Sequence, residues 1–301
     1  MAKYLIVNAD DYGMCQAAND AVEDLFRKGN IKSATIMMPC PKAEDAVRFS
    51  IDNPQYAIGI HLTMTSEWNT YKWAPLSSRK TLVDENGYMW KNSTQVGRNA
   101  SYEDLEAEVR AQVDKSHALG MKPSHLDNHM GSLYGHFTMR FGLLKMTLRL
   151  CGEYGYAFRM FTDTDKRLCP AGVPYPAFSL LKLFSKHWGK KYNVLMPDYM
   201  LFPDWPAMNK KIAPKSKGNF DEDYLIYREE ILKLWTDIPE GITETFIHPS
   251  LDTPELRSIT GSWHQRVWEY RLMNDPCTHE YLEKHGITLI SYRDLIKLKT
   301  K

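Results

Sequence analysis

The chain has 301 residues, with 38 Lys and Arg against 37 Asp and Glu, so its formal net charge is +1. This balance gives no electrostatic field that would collect nucleic acid or another polyanion. Hydrophobic residues make up 43% of the chain and the mean hydropathy is −0.46, which argues against a protein embedded in a membrane. No apolar run approaches the roughly 18 residues of a spanning helix, and the first residues lack the apolar core of a signal peptide.

The cysteines point to neither a disulfide framework nor a thiolate metal site. There are five of them, an odd number, and they are scattered along the chain without a C-x-x-C pair. We therefore expect a soluble protein of the cytoplasm that has neither nucleic acid nor a membrane as its partner. The oligomeric state stays open, with a homodimer as one alternative.

Short apolar runs alternate with stretches of helical periodicity along most of the chain. The runs are rich in β-branched residues and are bounded by turn formers, as buried strands are, while apolar residues spaced three or four apart mark the helices. The predicted strands lie at residues 4–7, 33–38, 57–62, 124–129, 157–161, 243–247 and 287–291. The predicted helices lie at residues 18–26, 42–51, 101–120, 141–151, 224–234, 263–274 and 276–284, with a short one at the C-terminal end.

Two segments interrupt this alternation. Residues 63–100 lose periodicity and are rich in Trp, Tyr, Pro, Gly and Ser, and residues 162–220 are rich in proline with little sustained period. Both are too long for ordinary connections, so we expect two insertions in one domain that spans residues 1–301. The remaining seven or so strand-then-helix units predict an α/β fold with a parallel sheet covered by helices.

Titratable side chains follow several of the predicted strands. Asp10 and Asp11 come after the first strand, His61 lies in the third, His129 ends the fourth, and His248 follows the sixth. In parallel α/β folds the carboxyl ends of the strands form the edge where active sites assemble. We therefore expect these side chains to meet at one edge of the sheet.

The fourth predicted strand points to a bound metal ion. His125, Asp127 and His129 alternate along it and so share one face, where a core strand would carry apolar residues. One ion explains the three titratable groups together. Two histidines and one carboxylate with open positions are the usual ligands of a hydrolytic metal centre, and we assign Asp11, His61 and His129 as ligands. Imidazole donors favour Zn, Co, Ni or Mn over Mg.

Each of these residues also has a simpler interpretation when it is taken singly. The two adjacent aspartates could cap a helix, and His61 could be a hydrogen-bonded core histidine. His248 could be an ordinary loop histidine. Arg159, near the end of the fifth strand, could orient Asp10 and lower the pKa of its carboxyl, or it could be a surface arginine.

The two predicted insertions carry features of their own. The aromatic residues of the first suit the apolar faces of sugar rings, although a small hydrophobic core is the more common use of such residues. The lysines of the second could clamp an anionic substrate or simply solvate the surface. The aromatic residues are Trp68, Tyr71, Trp73, Tyr88 and Trp90, and the lysines are Lys186, Lys190, Lys191, Lys210, Lys211, Lys215 and Lys217.

Several motifs together resemble one known family. The sequences NADDYG at residues 8–13, GIHL at 59–62, PSHLDNH at 123–129 and HP at 248–249 resemble, in order and approximate position, those of the YdjC-like family, which includes chitooligosaccharide deacetylases. The resemblance implies a distorted (β/α) barrel related to polysaccharide deacetylases. It also implies a divalent ion, usually assigned as Mg in the family, and the removal of acetyl groups from N-acetylated oligosaccharides such as diacetylchitobiose.

The resemblance also implies functional assignments for individual residues. Asp10 would be the general base, while Asp11, His61 and His129 would hold the metal. For the rest of the reaction we expect His248 to protonate the departing amine. We expect His125 or Asp127 to orient a ligand imidazole by contacting the side of the ring away from the metal.

Three functions remain open from the sequence. The favoured one is a metal-dependent hydrolase that deacetylates a chitobiose-like sugar or its phosphorylated form. The second is a metal-independent glycosidase that cleaves a phosphorylated disaccharide, with Asp10 and either Glu67 or Glu244 as its two carboxylates. The third is a non-catalytic sugar-binding protein, because a fold does not guarantee an activity.

Overall fold

A computed structural model describes residues 2–170, 173–212 and 219–300. Within these ranges the chain forms one sheet of eight strands and twelve α-helices. The strands are β1 (Lys3–Tyr12), β2 (Ser33–Ile36), β3 (Ala57–Leu62), β4 (His125–Asn128), β5 (Ala157–Phe158), β6 (Tyr199–Met200), β7 (Gly241–Ile247) and β8 (Ile287–Leu289). The helices are α1 (Gln16–Arg27), α2 (Ala43–Asp52), α3 (Ser93–Asn99), α4 (Tyr102–Ala118), α5 (Gly142–Tyr154), α6 (Tyr175–Tyr192), α7 (Trp205–Ile212), α8 (Phe220–Thr236), α9 (Pro254–Ile259), α10 (Trp263–Asn274), α11 (Pro276–Lys284) and α12 (Tyr292–Lys299).

The described strands pair in parallel and curl into a half-barrel. Their order is β5-β4-β3-β2-β1-β7-β6, with β8 outside this path and paired to β1. Two strands pair along the same edge of β1: β8 pairs with Lys3–Leu5, and β2 pairs from Asn8 onward. The α/β fold with about seven parallel strands that the sequence predicts is confirmed.

The segment 162–220 takes part in the sheet, which differs from the expectation of an irregular insertion. It contains α6, α7 and β6, and β6 pairs with β7. Phe158 N–H also donates to Leu195 O (3.0 Å) and Asp198 N–H to Ile242 O (2.9 Å), so this chain bridges β5 and β7. The proline content is misleading here, because Pro176 is the second residue of α6, where an N–H would have no helical partner in any case.

Strand β1 continues through the two aspartates to Tyr12, so the prediction that the first strand ends at residue 7, before them, is wrong. Pairing to β2 shifts in register between Ala9 and Tyr12, and Asp11 adopts a left-handed φ of 59° within this irregularity. The strand persists because β2 and β7 lie on either side of it and pair with its backbone groups. The local polarity of the sequence carries no information about those partners.

The apolar core lies between this sheet and the helices. Helix α1, for example, buries Val22, Leu25 and Phe26 on one face, which the periodicity of the sequence predicts. Within the described ranges, no helix combines the length and apolar character that would span a bilayer.

Gly59 is required where β3 passes β4. A Cβ atom at this position would lie 2.3 Å from His125 O and 2.7 Å from His125 Nδ1, closer than any real contact. The adjacent strand therefore leaves room only for glycine.

We expect Gly59→Ala to lower the stability of the protein by about 1–3 kcal/mol, because the added methyl group would push β3 away from β4. The measurement is urea unfolding followed by circular dichroism. Gly261→Ala is the matched control, since a Cβ there meets no atom within 4 Å. Equal stability of the two variants would contradict the close approach.

Candidate active site

The predicted side chains meet at the carboxyl ends of the strands. Asp10 and Asp11 lie near the end of β1, and His61 lies near the end of β3, directly across from its register partner Asp127 in β4. His129 is the first residue after β4. All five are at least 95% buried, with exposures between 0% and 4%.

Three of these residues direct one donor atom each toward a common point. His61 Nε2 lies 3.5 Å from Asp11 Oδ1, and His129 Nδ1 lies 3.2 Å from the same oxygen. The two imidazole nitrogens are 3.2 Å apart. Asp11, His61 and His129 thus form a compact group of buried donors that could hold a metal ion.

The donor atoms fit a divalent ion by both distance and charge. Ligands bound at 2.0–2.2 Å with angles near 90–110° would be separated by about 2.8–3.6 Å, which matches the observed spacings. Asp11 Oδ1 is buried and has no hydrogen-bond partner among the described residues. More carboxylates than guanidinium groups also meet here, namely Asp10, Asp11, Glu67 and Asp127 against Arg159 and Arg266.

The pKa of His129 reflects the negative charge around this imidazole. Burial lowers the pKa of this imidazole, but Glu67 and Asp11 raise it by more, to about 10. In the absence of an ion, the cluster therefore draws a proton onto a histidine. A divalent cation would neutralise the same charge.

A second group of donors, formed by Asp10, His61 and Asp127, also lies within metal-binding range. Both of its carboxylates, however, are already bound by Arg159. Arg159 donates to both oxygens of Asp10 (2.6 Å each) and lies 2.8 Å from Asp127 Oδ2. This group is therefore better described as an ion-pair network than as a metal site.

Arg159 is buried and binds carboxylates from three strands. Besides Asp10 in β1 and Asp127 in β4, its Nε donates to Glu244 in β7 (2.7 Å). Burial raises the pKa of Asp10, but Arg159 and the nearby His61 lower it by more, to about 2. Asp10 is therefore ionised at every physiological pH.

Each proposed ligand has a partner on the side away from the donor cluster. Asp127 Oδ1 contacts His61 Nδ1 at 2.6 Å, and Glu67 Oε1 contacts His129 Nε2 at 3.0 Å. Arg266 donates to Asp11 Oδ2 at 2.7 Å. These contacts leave a single donor atom of each ligand facing the others. Burial raises the pKa of Asp11, but Arg266 and His129 hold it well below its usual range.

His125 lies outside the ligand cluster. Its ring stacks on Tyr292 with centroids 3.6 Å apart, and its Nε2 contacts Asn8 Oδ1 at 3.2 Å. Asn8 in turn donates to Asp10 Oδ1 (2.8 Å). Of the two residues predicted to orient a ligand imidazole, the structure brings Asp127 against His61 and places His125 behind Asn8.

His248 follows β7 at the rim and keeps 25% of its side chain exposed. Its backbone N–H donates to Glu269 Oε2 (2.6 Å), and its Nδ1 lies 3.7 Å from the same oxygen. Burial lowers the pKa of His248, but Glu269 and Asp11 raise it by more. The imidazole is thus favoured in its protonated form beside the cluster.

The sequence interpretation missed Arg266 and Glu269, and it considered Glu67 only as a glycosidase carboxylate. Arg266 and Glu269 lie three residues apart on α10 and share its buried face with Leu272. Charged residues at positions where helical periodicity requires apolar ones were the available signal. For Glu67, no regular pattern surrounds the residue.

The features predicted within the two insertions are mainly structural in the described residues. Trp73 is buried, and its Nε1 donates to Thr65 O (2.8 Å), which supports the interpretation as a small core. Lys211 pairs with Glu230 (2.5 Å) on the surface. The other described lysines, Lys186, Lys190, Lys191 and Lys210, are exposed, and Lys215 and Lys217 lie outside the described residues.

Comparison with known proteins identifies the family. A family model described as YdjC-like protein matches residues 4–284, which is most of the chain. The chain belongs to the YdjC-like family. The resemblance of the four sequence motifs to this family is thereby confirmed.

Proteins similar to this YdjC-like chain carry related names. A carbohydrate deacetylase of Geobacillus stearothermophilus is 27% identical over 300 residues, covering 99% of this chain and 100% of that protein. A chitooligosaccharide deacetylase of Yersinia enterocolitica is 33% identical over 132 residues, covering 43% of this chain and 50% of that protein. A crystal structure from Enterococcus faecalis V583, of a candidate cellobiose-phosphate cleavage protein, has a TM-score of 0.71 at 25% identity and covers 98% of this chain and 99% of that one.

We expect Arg159→Met to destabilise this YdjC-like protein by about 3–5 kcal/mol, because buried carboxylates would lose their counter-charge. Arg149→Met is the matched control: Arg149 pairs with Glu106 and Glu153 at the surface, with 35% of its side chain exposed, and its loss should cost about 0–1 kcal/mol. Urea unfolding measures both.

The loss of stability in Arg159→Met should diminish at lower pH, because burial raises the pKa of Asp10 and of Glu244 and Arg159 no longer opposes it, so both carboxyls can take up protons. A deficit that is independent of pH, or one equal to that of Arg149→Met, would contradict the assignment of Arg159 as their counter-charge.

Proposed function

We propose that this protein is a metal-dependent hydrolase that removes acetyl groups from N-acetylated oligosaccharides. The observation that carries the proposal is the convergence of Asp11 Oδ1, His61 Nε2 and His129 Nδ1 within 3.5 Å of one another, beside the ionised Asp10. The names of the similar proteins support the reaction class, because two of them are carbohydrate deacetylases.

The metal would be held by Asp11, His61 and His129. The chemistry that a divalent ion would supply there is that of a Lewis acid, which would polarise the acetamide carbonyl and lower the pKa of water. The two imidazole donors favour Zn, Co, Ni or Mn, whereas the family resemblance favours Mg.

Asp10 is the residue that takes the proton from the attacking water. Arg159 donates to both oxygens of Asp10 and Asn8 donates to Oδ1, so of the about four acceptor positions of the carboxylate one remains on Oδ2 for the water. Arg159 fixes the orientation of the carboxylate and keeps it ionised. This ion pair makes Asp10 a permanently available acceptor, although a weak base on its own.

His248 is the residue that gives a proton to the departing amine. Its position after β7 places it at the rim, and Glu269 and Asp11 raise its pKa against the effect of burial, which favours the protonated imidazole. Asp10 and His248 thus have opposite roles in proton transfer. The surroundings of Asp10 keep it as a carboxylate that accepts a proton, and those of His248 favour the imidazolium that donates one. Acetate and a sugar with a free amine are the products.

A second candidate is hydrolysis of a phosphorylated disaccharide, which the likeness to the Enterococcus faecalis protein favours. Its catalysis would need a second accessible carboxylate near Asp10. Glu244 is fully buried and bonded to Arg159 and to the hydroxyl of Tyr292, so it has no access to a sugar. Glu67 remains as the partner carboxylate for this reaction.

The proposal is tested by measuring acetate release from N-acetylated chitooligosaccharides and their phosphorylated forms. The protein is stripped with a chelator and reloaded with Mg, Mn, Co, Ni or Zn. We expect Asp10→Asn to lower kcat by at least about a hundredfold while the metal content stays unchanged, because a proton acceptor is lost but no ligand. His129→Ala should lose both metal and activity.

His264→Ala serves as the matched histidine control, since His264 packs against Trp263 and Trp268 of α10 and lies outside the donor group. Full metal content in His129→Ala would contradict the ligand assignment. Cleavage of a phosphorylated disaccharide that survives exhaustive chelation would favour the glycosidase.

The pH profile of deacetylation tests the assignment of His248. Its pKa is raised by Glu269 and by Asp11 and Asp10, while Arg266 opposes them, so activity should fall only as the pH rises above that raised value. Glu269→Gln removes the first of these charges and should move the alkaline limb to lower pH. An alkaline limb that is unchanged in both Glu269→Gln and His248→Gln would exclude His248 as the acid.

A further inference from the structure

We infer that Glu67 is a positioning residue that sets the tautomer of His129, so that the loop after β3 controls the affinity of the metal centre. The inference rests on the proposed metal centre. It adds a residue from the segment 63–100 that takes part without contacting the ion or the substrate carbonyl.

The two ring nitrogens of His129 face different surroundings. Its Nδ1 lies 3.2 Å from both Asp11 Oδ1 and His61 Nε2, within the group of donors. Its Nε2 lies on the other side of the ring, 3.0 Å from Glu67 Oε1. A neutral imidazole carries one proton, and only the nitrogen without it can bind an ion.

Glu67 decides which nitrogen keeps the proton. Its Oε1 also accepts the hydroxyl hydrogen of Thr65, so this oxygen acts as an acceptor for two neighbours. A carboxylate oxygen that accepts here requires the ring proton on Nε2 and leaves the lone pair on Nδ1 for the ion. Without that acceptor, the preference for a proton on Nε2 is lost.

The other histidine is held in the same way with the nitrogens reversed. His61 presents Nε2 to the donor group, and its Nδ1 contacts Asp127 Oδ1 at 2.6 Å. Asp127 belongs to β4 and is fixed within the sheet, whereas Glu67 belongs to a loop. The two carboxylates that contact the histidines are therefore held differently, Asp127 by the sheet and Glu67 by a loop.

Aromatic residues of the segment 63–100 hold the backbone beside Glu67. Trp73 Nε1 donates to Thr65 O (2.8 Å), and Ser66 N–H donates to Trp90 O (2.9 Å). Thr65 and Ser66 are fully buried. These two hydrogen bonds hold the backbone next to Glu67, whose carboxylate lies against His129, and the loop thus becomes part of the proposed metal centre.

The test measures the affinity of the stripped protein for Zn²⁺ by competition with a chromophoric chelator, without any sugar. Glu67→Gln keeps the shape of the side chain and removes its charge. We expect it to weaken Zn²⁺ binding about 10- to 100-fold, the usual effect of losing an outer partner of a ligand. Glu255→Gln is the matched control, because Glu255 accepts the N–H of Ala17 and touches no proposed ligand.

A second measurement needs no variant. Long-range ¹H–¹⁵N spectra of the zinc-loaded protein, labelled at histidine, identify the ring nitrogen of His129 that binds the ion. We expect Nδ1 in the unaltered protein, and a mixture of Nδ1 and Nε2 in Glu67→Gln.

Zinc bound through Nε2 of His129 in the unaltered protein would overturn the inference, as would a Glu67→Gln affinity within twofold of the unaltered protein. An unaltered protein that binds no Zn²⁺ or other divalent ion overturns the proposed metal centre together with this inference. Normal Zn²⁺ binding in the absence of any acetate release would instead contradict only the proposed reaction.

Discussion

The rest of the site depends on the ion pairs that the guanidinium of Arg159 makes with buried carboxylates. It binds Asp10, Asp127 and Glu244, which come from β1, β4 and β7, and it is itself buried at the end of β5. Burying that many carboxylates is unfavourable unless a cation compensates them. Because Arg159 fixes Asp10 and Asp127, it also fixes what those two residues contact.

This ion-pair network also helps to position the donor atoms of the proposed metal ligands. Asp127 is held by Arg159 and in turn contacts His61, and Arg266 from α10 holds the far oxygen of Asp11. Each proposed ligand is thereby restricted to one free donor. Such restriction lowers the entropy lost on ion binding, because the donors already occupy the geometry that a divalent ion requires.

The segment between β3 and α4 connects surface structure to this centre. Trp68 and Trp73 pack in a small core, and the hydrogen bonds from Trp73 Nε1 to Thr65 O and from Ser66 N–H to Trp90 O hold the backbone next to Glu67. Elements that differ greatly in sequence position therefore meet at His129: the loop after β3, the end of β1 and the end of β4. Substitutions in this loop are therefore expected to alter the proposed metal centre without changing any proposed ligand.

The sequence alone determined the alternation of strands and helices, and with it the edge where Asp10, Asp11, His61 and His129 meet, because periodicity and strand order are local properties. It did not reveal that β1 continues through both aspartates, or that Tyr199–Met200 joins the sheet, because backbone pairing depends on neighbours far along the chain. The sequence did not reveal which residues contact the proposed ligands, for the same reason. Arg266 lies 255 residues from Asp11 and Glu67 lies 62 residues from His129, and only tertiary packing brings such charges into contact.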